Sequence, residues 1–344
     1  MSFYEIVEGA WTAYDASRPI QRIADISAKV STNHVYRIKL KDGATVIAKL
    51  SYFGKHQHFV EDHTIINTLS NNLDPPFDNV LATSLMKGGK LFVHRHQNAK
   101  EDVWVVFYRP IKVLKKLPRR LEEEQIAKIA CQFSSFHKAC TTIRHSLPAS
   151  SKSMKTDILE LEAYCKTEAG KKDFGEHCAH IIAHCHRFLY FYENYIKRNI
   201  PVIPVFLDWN IGNFSISRSF KLAARWDYDW FRMSSRMADF YFFSRVVSDI
   251  GDRTLFTYNI DVLKEERFLF FLKNYHENFP IERFEVDMLP EMYRFFLLNY
   301  VLKLGRFFFR EDYATKLQEE VLTSHLSSIK HFETDQIKEA LFSS

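Results

Sequence analysis

The spacing of apolar and polar positions changes about one third of the way along the chain. Up to about residue 110, short apolar runs alternate with turn residues, as in KVSTNHVYRIKL and ATVIAKLS, which Lys-Asp-Gly joins. These runs predict β-strands and a hairpin. NVLATSLM and KLFVHRH predict two further strands, and DVWVVFYRP predicts a strand buried on both faces. Between them, HFVEDHTIINTLSNN has apolar residues at helical spacing and predicts one short helix.

The remaining two thirds has mostly helical spacing. LEEEQIAKIACQFSSFHKACTTI, KTDILELEAYCKTEAG (ending at Gly170) and GEHCAHIIAHCHRFLYFYENYIKRN predict long helices, and helices also follow RMADFYFFSRVV. Strands return only in IPVFLDWNIGNFSIS and FKLAARWDYDW. Strands followed by helices indicate an α+β protein. We expect two domains, 1–110 and 111–344, that meet between Tyr108 and Val113.

Composition excludes several classes of protein. The chain has 344 residues, is 46% hydrophobic and carries a net charge of +5 without a long block of Lys or Arg, so we expect no nucleic-acid partner. No run approaches 18 uncharged apolar residues, so we expect no membrane span. Five cysteines without framework spacing argue against a disulfide scaffold, and the first residues do not resemble a signal peptide. We therefore expect a cytoplasmic protein.

Two predicted strands end in acidic residues. The apolar run in VFLDWNIGNF stops at Asp208, with Asn213 five residues later, and KLAARWDYDW ends in Asp227 and Asp229. Each could be an ordinary turn, in which Asp and Asn are common. A hairpin between them would instead bring Asp227 beside Asp208. Asp208 could then accept a hydroxyl proton in phosphoryl transfer, and Asn213 and Asp227 could bind Mg²⁺ through oxygen.

A lysine interrupts an apolar strand upstream. Lys49 lies within VIAKL, and Glu61 follows twelve residues later at the start of the predicted helix. A buried lysine is costly unless it is paired or binds a ligand. Lys49 could instead lie at an edge, and Glu61 could be a solvated acid. A strand lysine, a helix glutamate, and a downstream base with metal ligands occur in this order in protein kinases.

From about Ser31 to Phe243 the chain resembles the aminoglycoside phosphotransferase and choline kinase family, small-molecule kinases of protein-kinase-like fold. FLDWNIGN is similar to the family's catalytic loop, His-Gly-Asp, four residues, Asn, and DYD is similar to its metal-binding strand end. Asp239 in RMADF and His137 in SSFHKAC match two further family positions.

The resemblance implies a bilobal fold, with a small N-terminal sheet lobe and a large helical C-terminal lobe. It implies transfer of the ATP γ-phosphoryl group to a hydroxyl of a small molecule. Lys49 would hold the phosphates, Glu61 would orient Lys49, and backbone from Phe107 to Arg109 would bind the nucleotide base. Two alternatives remain open, a pseudokinase-type binding or scaffold protein and a protein Ser/Thr kinase. The sequence does not indicate an oligomeric state.

The chain departs from the family pattern in three places. Phe206 and Leu207 replace His-Gly, so apolar packing is expected to hold Asp208. The loop that would cover the phosphates, STNH, lacks glycine, so backbone N–H groups and the Ser31 or Thr32 hydroxyls would contact them. Arg232 and Arg236 follow the metal-binding strand and, with Asp229, form the candidate substrate site. The arginines either favour an anionic substrate or pair with helix acids such as Asp239.

Two other groups of residues could bind ligands. His180 and His184 lie four apart on the histidine-rich helix, which is the spacing of two zinc ligands or simply a histidine-rich helix face. Trp226, Trp230 and Phe240 could enclose a quaternary amine or belong to the core.

Overall fold

A computed structural model describes residues 2–28, 32, 34–118, 120–196, 200–249 and 256–343. The chain divides into two compact units. The first comprises Met1–Lys112, Leu147–Ser151 and Phe307–Arg310, and the second comprises Val113–Ser146, Lys152–Arg306 and Glu311–Ser344. Two short later segments therefore belong to the first unit, in addition to the continuous stretch that ends at Lys112.

The first unit is built on an antiparallel sheet. Its strands are β1 (Ile20–Asp25), β2 (His34–Leu40), β3 (Thr45–Ser51), β4 (Met86–Lys87), β5 (Lys90–Leu91), β6 (Val93–Gln97) and β7 (Asp102–Tyr108). Five of them form a sheet in the order β1-β2-β3-β7-β6, and β4 pairs with β5 as a separate ribbon. The strand predicted in NVLATSLM is confirmed only in its second half, where Ser84 forms an antiparallel bridge with Tyr108 and Met86 pairs with Leu91.

Two helices pack in this unit, α1 (Phe3–Asp15) and α2 (His56–Asn72). Helix α2 was predicted, but α1 was not. Ser2 and Glu5 form a reciprocal capping box at the start of α1, a signal that the sequence carries as Ser-x-x-Glu. Trp11 of α1 is buried in the core formed with the sheet residues Ala48 and Leu50.

The second unit contains two short antiparallel strand pairs. Its strands are β8 (Ile203–Val205), β9 (Phe214–Ile216), β10 (Leu222–Arg225) and β11 (Arg232–Ser234). β9 and β10 form the predicted hairpin, with Phe214 opposite Arg225. β11 was not predicted as a strand, and it pairs with β8.

Helices make up most of the second unit. They are α3 (Glu123–Ile143), α4 (Met154–Cys165), α5 (Glu168–Phe174), α6 (Cys178–Phe191), α7 (Phe240–Val247), α8 (Glu266–Asn278), α9 (Arg283–Asp287), α10 (Leu289–Phe296), α11 (Gly305–Phe308, which continues into the first unit), α12 (Glu311–Glu320), α13 (Leu326–Ser328) and α14 (Asp335–Phe342). Gly170 does not end a helix as predicted, because it lies inside α5. A Cβ there would be 2.0 Å from the Tyr164 carbonyl oxygen, so only glycine allows this close approach.

The core of the second unit is aromatic. Phe133 of α3 packs with ring centroids 4.7 Å from Trp209 and 4.3 Å from Phe243 of α7. The small antiparallel sheet and the larger helical part confirm the predicted α+β class. Among the described residues, no helix is both long enough and apolar enough to cross a membrane.

Candidate active site

The loop that follows β8 carries Asp208 between two buried aromatic residues. Phe206 and Trp209 are fully buried, with ring centroids 5.7 Å apart. Leu207 has a left-handed backbone, with φ of 51°, and the Asp208 N–H donates to the Phe206 carbonyl at 2.6 Å. Such strained turns persist only when the surroundings fix them. Apolar packing therefore anchors this loop on both sides of Asp208, as expected for a loop without His-Gly.

A buried carboxylate also holds the loop. Asp239 Oδ1 accepts hydrogen bonds from the Phe206 N–H at 3.0 Å and the Leu207 N–H at 2.6 Å. Its Oδ2 lies 3.0 Å from His137 Nε2, and His137 Nδ1 lies 2.8 Å from the Tyr275 hydroxyl. The two family positions at residues 137 and 239 therefore form one buried network that fixes the backbone preceding Asp208.

Two amides contact the Asp208 carboxylate. Asn213 Nδ2 donates to Oδ2 at 2.8 Å, and Asn210 Nδ2 donates to Oδ1. The Asn213 contact turns the amide so that its own Oδ1 is the atom available to a cation. Asn210 was not singled out from the sequence, although its position two residues after an aspartate is typical of a side-chain turn.

The β9–β10 hairpin brings Asp227 to this loop. The Trp226 N–H donates to the Asn213 carbonyl at 2.9 Å, so the chain just before Asp227 is joined directly to the loop after β8. Asp227 has φ of 66°, an uncommon conformation for a residue other than glycine. The N–H of Asp229 lies 3.5 Å from Asp227 Oδ1. The juxtaposition expected from the two acid-tipped strands is present.

These residues suit a hard divalent cation. Asn213 offers an amide oxygen and Asp227 a carboxylate, and Mg²⁺ is commonly held by one or two such protein groups together with phosphate oxygens. In the described ranges, no three His, Cys, Asp or Glu side chains are grouped to hold a metal alone.

Arg225 lies beneath the site. It is fully buried, and its guanidinium donates to the carbonyl oxygens of Asp208 at 2.9 Å, Asn213 at 3.1 Å and Asp227 at 2.8 Å. No pattern in the sequence indicates this contact, because Arg225 ends an apolar run and the hydrogen bonds depend on the fold of the hairpin.

In the first unit, Lys49 occupies the middle of β3 and is only 4% exposed. Its cross-strand neighbours are Val35 on β2 and Val106 on β7. Paired residues, and those two positions along a strand, share one face of a sheet. Lys49 therefore shares its face with Trp104 and Tyr108 of β7.

Helix α2 covers that face. The Phe59 ring lies 5.9 Å from Trp104, and His63 Nε2 is hydrogen-bonded to the Tyr108 hydroxyl. Asp62 lies on the same side of the helix and is only 5% exposed. A buried carboxylate thus faces the part of the sheet that carries the buried lysine, and the sequence did not single it out.

Glu61 has different surroundings. Its Oε2 accepts hydrogen bonds from the Ser151 N–H at 2.8 Å and hydroxyl at 2.7 Å, and its Oε1 accepts one from Gln57 Nε2 at 2.8 Å. Burial raises the pKa of Glu61, but the hydrogen bonds from Ser151 and Gln57 outweigh it, and the pKa is lowered. Glu61 therefore tethers the segment Leu147–Ser151, and the predicted orienting role is better matched by Asp62.

The predicted phosphate contact of Thr32 is not supported, whereas that of Ser31 stays a prediction. Ser31 lies outside the described residues. The Thr32 N–H donates to the Phe308 carbonyl at 3.2 Å, and its hydroxyl donates to the Phe307 carbonyl. Both donors of Thr32 are therefore engaged with the segment Phe307–Arg310.

The predicted base contacts at the end of β7 have protein partners too. The Phe107 carbonyl accepts from the Leu85 N–H at 2.7 Å, and the Arg109 N–H donates to the Thr83 carbonyl at 3.3 Å. The Phe107 ring is in the core, 5.1 Å from Trp11. These bonds use the Phe107 carbonyl and the Arg109 N–H, and binding of the nucleotide base by the backbone from Phe107 to Arg109 stays a prediction.

Arg232 and Arg236 are internal residues. Arg232 is 1% exposed and pairs with Asp157 at 2.9 Å. Arg236 Nε donates to Glu285 Oε1 at 2.8 Å. The alternative of pairing with acids of the fold is therefore correct, although the partners are Asp157 and Glu285 and not Asp239. The hypothesis of an anionic substrate loses its basis.

The other two candidate groups are structural. His184 Nε2 lies 3.1 Å from His180 Nε2, and its Nδ1 accepts from Arg294. Among the described residues, no further His, Cys, Asp or Glu is grouped with these two to hold a metal. Trp230 and Phe240 are buried, and they pack against Tyr300 at 5.0 Å and Tyr275 at 4.9 Å respectively. These two aromatics belong to the core.

Comparison with solved structures agrees with this architecture. The chain is similar to an amicoumacin kinase in complex with AMP-PNP and Ca²⁺, with a TM-score of 0.66, 12% identity, and coverage of 98% of this chain and 97% of that one. It is similar to a microcompartment-associated aminopropanol kinase, with a TM-score of 0.61, 13% identity, and coverage of 97% and 98%. A macrolide 2′-phosphotransferase type I gives a TM-score of 0.57, 11% identity, and coverage of 92% and 96%. No protein-family profile and no curated protein sequence matches the chain. At these identities the similarity establishes the fold, and the chain has the kinase-like fold of these small-molecule phosphotransferases.

Proposed function

We propose that the protein transfers the γ-phosphoryl group of ATP to a hydroxyl of a small molecule. The observation that carries this proposal is the juxtaposition of Asp208, Asn213 and Asp227. Asn213 Nδ2 lies 2.8 Å from the Asp208 carboxylate, and the Asn213 carbonyl accepts from the residue before Asp227 at 2.9 Å. A carboxylate beside two oxygen ligands is what phosphoryl transfer requires of a protein.

Each residue has a distinct role in this proposal. Asp208 accepts the proton of the acceptor hydroxyl, and the amides of Asn210 and Asn213 orient its carboxylate. Asn213 and Asp227 would hold Mg²⁺, which when bound neutralises charge on the phosphate oxygens. Lys49 would supply a cation to the phosphates.

The sequence pattern did not indicate a role for Asp62. We propose that Asp62, instead of Glu61, orients Lys49, because Asp62 is buried on the side of α2 that faces the sheet. The Glu61 carboxylate is already occupied by Ser151 and Gln57.

The acceptor is proposed only as a class. Since Arg232 and Arg236 pair within the fold, they give no preference for anions. The similar structures are named for amicoumacin, aminopropanol and macrolide phosphorylation. Hydroxylated antibiotics and small amino alcohols are therefore the first acceptors to test.

The test is a transfer assay with ATP labelled in its γ-phosphoryl group. The acceptors are amino alcohols, hydroxylated antibiotics and Ser/Thr peptides, and Asp208→Asn serves as the inactive control. Transfer to a small molecule that the control loses supports the proposal. Transfer to peptides alone would favour a protein kinase. Mg²⁺-dependent ATP binding without transfer to any acceptor would favour a pseudokinase.

A further inference from the structure

Arg225 connects the three main-chain segments that carry the proposed catalytic groups. Its Nη2 donates to the Asp208 carbonyl, and its Nη1 donates to the carbonyls of Asn213 and Asp227, at 2.8 to 3.1 Å. These segments are the loop after β8, the residue that precedes β9 and the turn that follows β10. One side chain therefore contacts the backbone of the proposed base and of both proposed metal ligands.

The surroundings of Arg225 make this contact rigid. Its guanidinium lies 5.3 Å from the ring centroids of Phe206 and Trp209, and 5.9 Å from Tyr228. A buried guanidinium is costly unless its donors are used. Here the planar group directs donors at three fixed carbonyl oxygens, which defines their relative positions.

We infer that Arg225 is the positioning residue of the site, and this inference rests on the proposed function. Asp239 holds the loop by the N–H groups of Phe206 and Leu207, and Arg225 holds it by the carbonyl of Asp208. The two side chains together fix a loop that has no His-Gly before its aspartate. Arg225 also donates to the Asp227 carbonyl and so connects the loop to Asp227. The two hydrogen bonds of Asp239 given above do not reach Asp227.

The expected effect of replacing Arg225 differs between a purely structural role and a positioning role. If Arg225 only fills the core, replacing it lowers stability without changing how Mg²⁺ affects ATP binding. If Arg225 sets the distance between Asn213 and Asp227, its loss weakens the metal-dependent part of ATP affinity. ATP binding without metal should change little, because Lys49 belongs to a different part of the chain.

The experiment compares Arg225→Met and Arg225→Lys with the control Arg245→Met. Arg245 is also buried, donates to the Thr257 carbonyl and lies 4.8 Å from the Tyr258 ring, so it matches Arg225 in environment. Thermal unfolding and circular dichroism check that each variant folds. The readouts are the ATP dissociation constant with and without Mg²⁺, and the kcat and KM of ATP hydrolysis.

We expect Arg225→Met to lose most of the Mg²⁺ enhancement of ATP binding and about 100-fold in kcat, as for a displaced catalytic group. Arg225→Lys keeps the charge but not the planar guanidinium, so its Mg²⁺ enhancement and kcat should lie between those of Arg225→Met and the native chain. If Arg225→Met does not fold, Arg225→Lys alone provides the test. Arg245→Met should keep the native Mg²⁺ enhancement. An Arg225 variant that behaves like Arg245→Met would overturn the positioning role and leave the proposed function intact. A native chain without Mg²⁺-dependent ATP binding would refute the proposed function, and the role of Arg225 with it.

Discussion

The Asp239 carboxylate lies 2.6 Å from the main-chain nitrogen of Leu207, whose backbone is left-handed with φ of 51°. Left-handed backbone is unfavourable for a leucine, so this conformation needs support from its surroundings. The fully buried Asp239 carboxylate supplies that support, and its second oxygen lies 3.0 Å from His137 Nε2. The side chain of Asp208 is thereby presented by a loop that lacks the glycine usual at such a turn.

Replacing this carboxylate by an amide should therefore destabilise the protein. Asp239→Asn keeps the shape but removes the charge from the hydrogen bonds to Phe206 and Leu207. We expect the free energy of unfolding to fall by about 2–3 kcal/mol, the range for hydrogen bonds to charged groups. Urea denaturation measures it, with the exposed Asp261→Asn as control. A loss no larger than that of the control would contradict the role of Asp239.

The two neighbouring acids of α2 should differ in their effect on ATP. Asp62→Asn is expected to weaken ATP binding about tenfold, as Lys49→Met would, because a misplaced lysine loses a phosphate contact worth about 1.4 kcal/mol. Glu61→Gln should leave ATP affinity nearly unchanged, because its carboxylate bonds Ser151 and Gln57. Titration of each folded variant with ATP measures the difference. The reverse order would restore Glu61 as the orienting acid.

The buried pair of Arg236 and Glu285 should behave as part of the core. Arg236→Met leaves Glu285 buried without its main partner, and we expect a loss of about 3–5 kcal/mol in unfolding free energy. The double variant Arg236→Met with Glu285→Met should recover much of that loss. Chemical denaturation tests both. If Arg236→Met were nearly as stable as the native chain, an exposed, substrate-facing arginine would be the better interpretation.

Stability should fall on mild acidification because of His184. Arginine only donates, so His184 Nδ1 must accept from Arg294 and the ring is neutral. Burial, together with the positive charge of Arg294, lowers the pKa of His184 from 6.5 to about 3. The unfolded chain therefore binds this proton below pH 6.5 while the folded chain does not, and stability declines as pH falls from 6.5 towards 3.

Comparison with His184→Gln isolates this contribution. Glutamine can accept from Arg294 but does not titrate. The unfolding free energy of the native chain should therefore fall more steeply between pH 6.5 and about 4 than that of the variant. Parallel slopes would mean that His184 is not the group responsible.

Local sequence pattern predicted the hairpin and the acids at its ends, because strand period and turn residues are local properties. It also predicted a lysine inside an apolar strand, since a charge in such a run stands out. It did not distinguish Asp62 from Glu61, because the rotation of α2 against the sheet depends on packing. Nor did it reveal that Thr32 bonds Phe307 and Phe308, which lie far along the chain.

Arg225 shows the same limit at the candidate site. From the sequence it is one polar residue at the end of a strand. Its three hydrogen bonds exist only because the β9–β10 register and the turns at Leu207 and Asp227 direct three carbonyl oxygens to one point. This convergence depends on tertiary structure, so no spacing of residues along the sequence indicates it.

The most direct test of a nucleotide and metal site is thermal unfolding with ATP, with ATP and Mg²⁺, and with neither, for the native chain and Asp227→Asn. Asp261→Asn is the matched control, an exposed acid of the same unit. Ligand at about 100 times its dissociation constant adds about 2.7 kcal/mol of stability, enough to raise the midpoint measurably. We expect a Mg²⁺-dependent increase in the native chain and in Asp261→Asn that Asp227→Asn loses. An unchanged midpoint in all conditions, or an increase that Asp227→Asn retains in full, would contradict a catalytic nucleotide–metal site at Asp227.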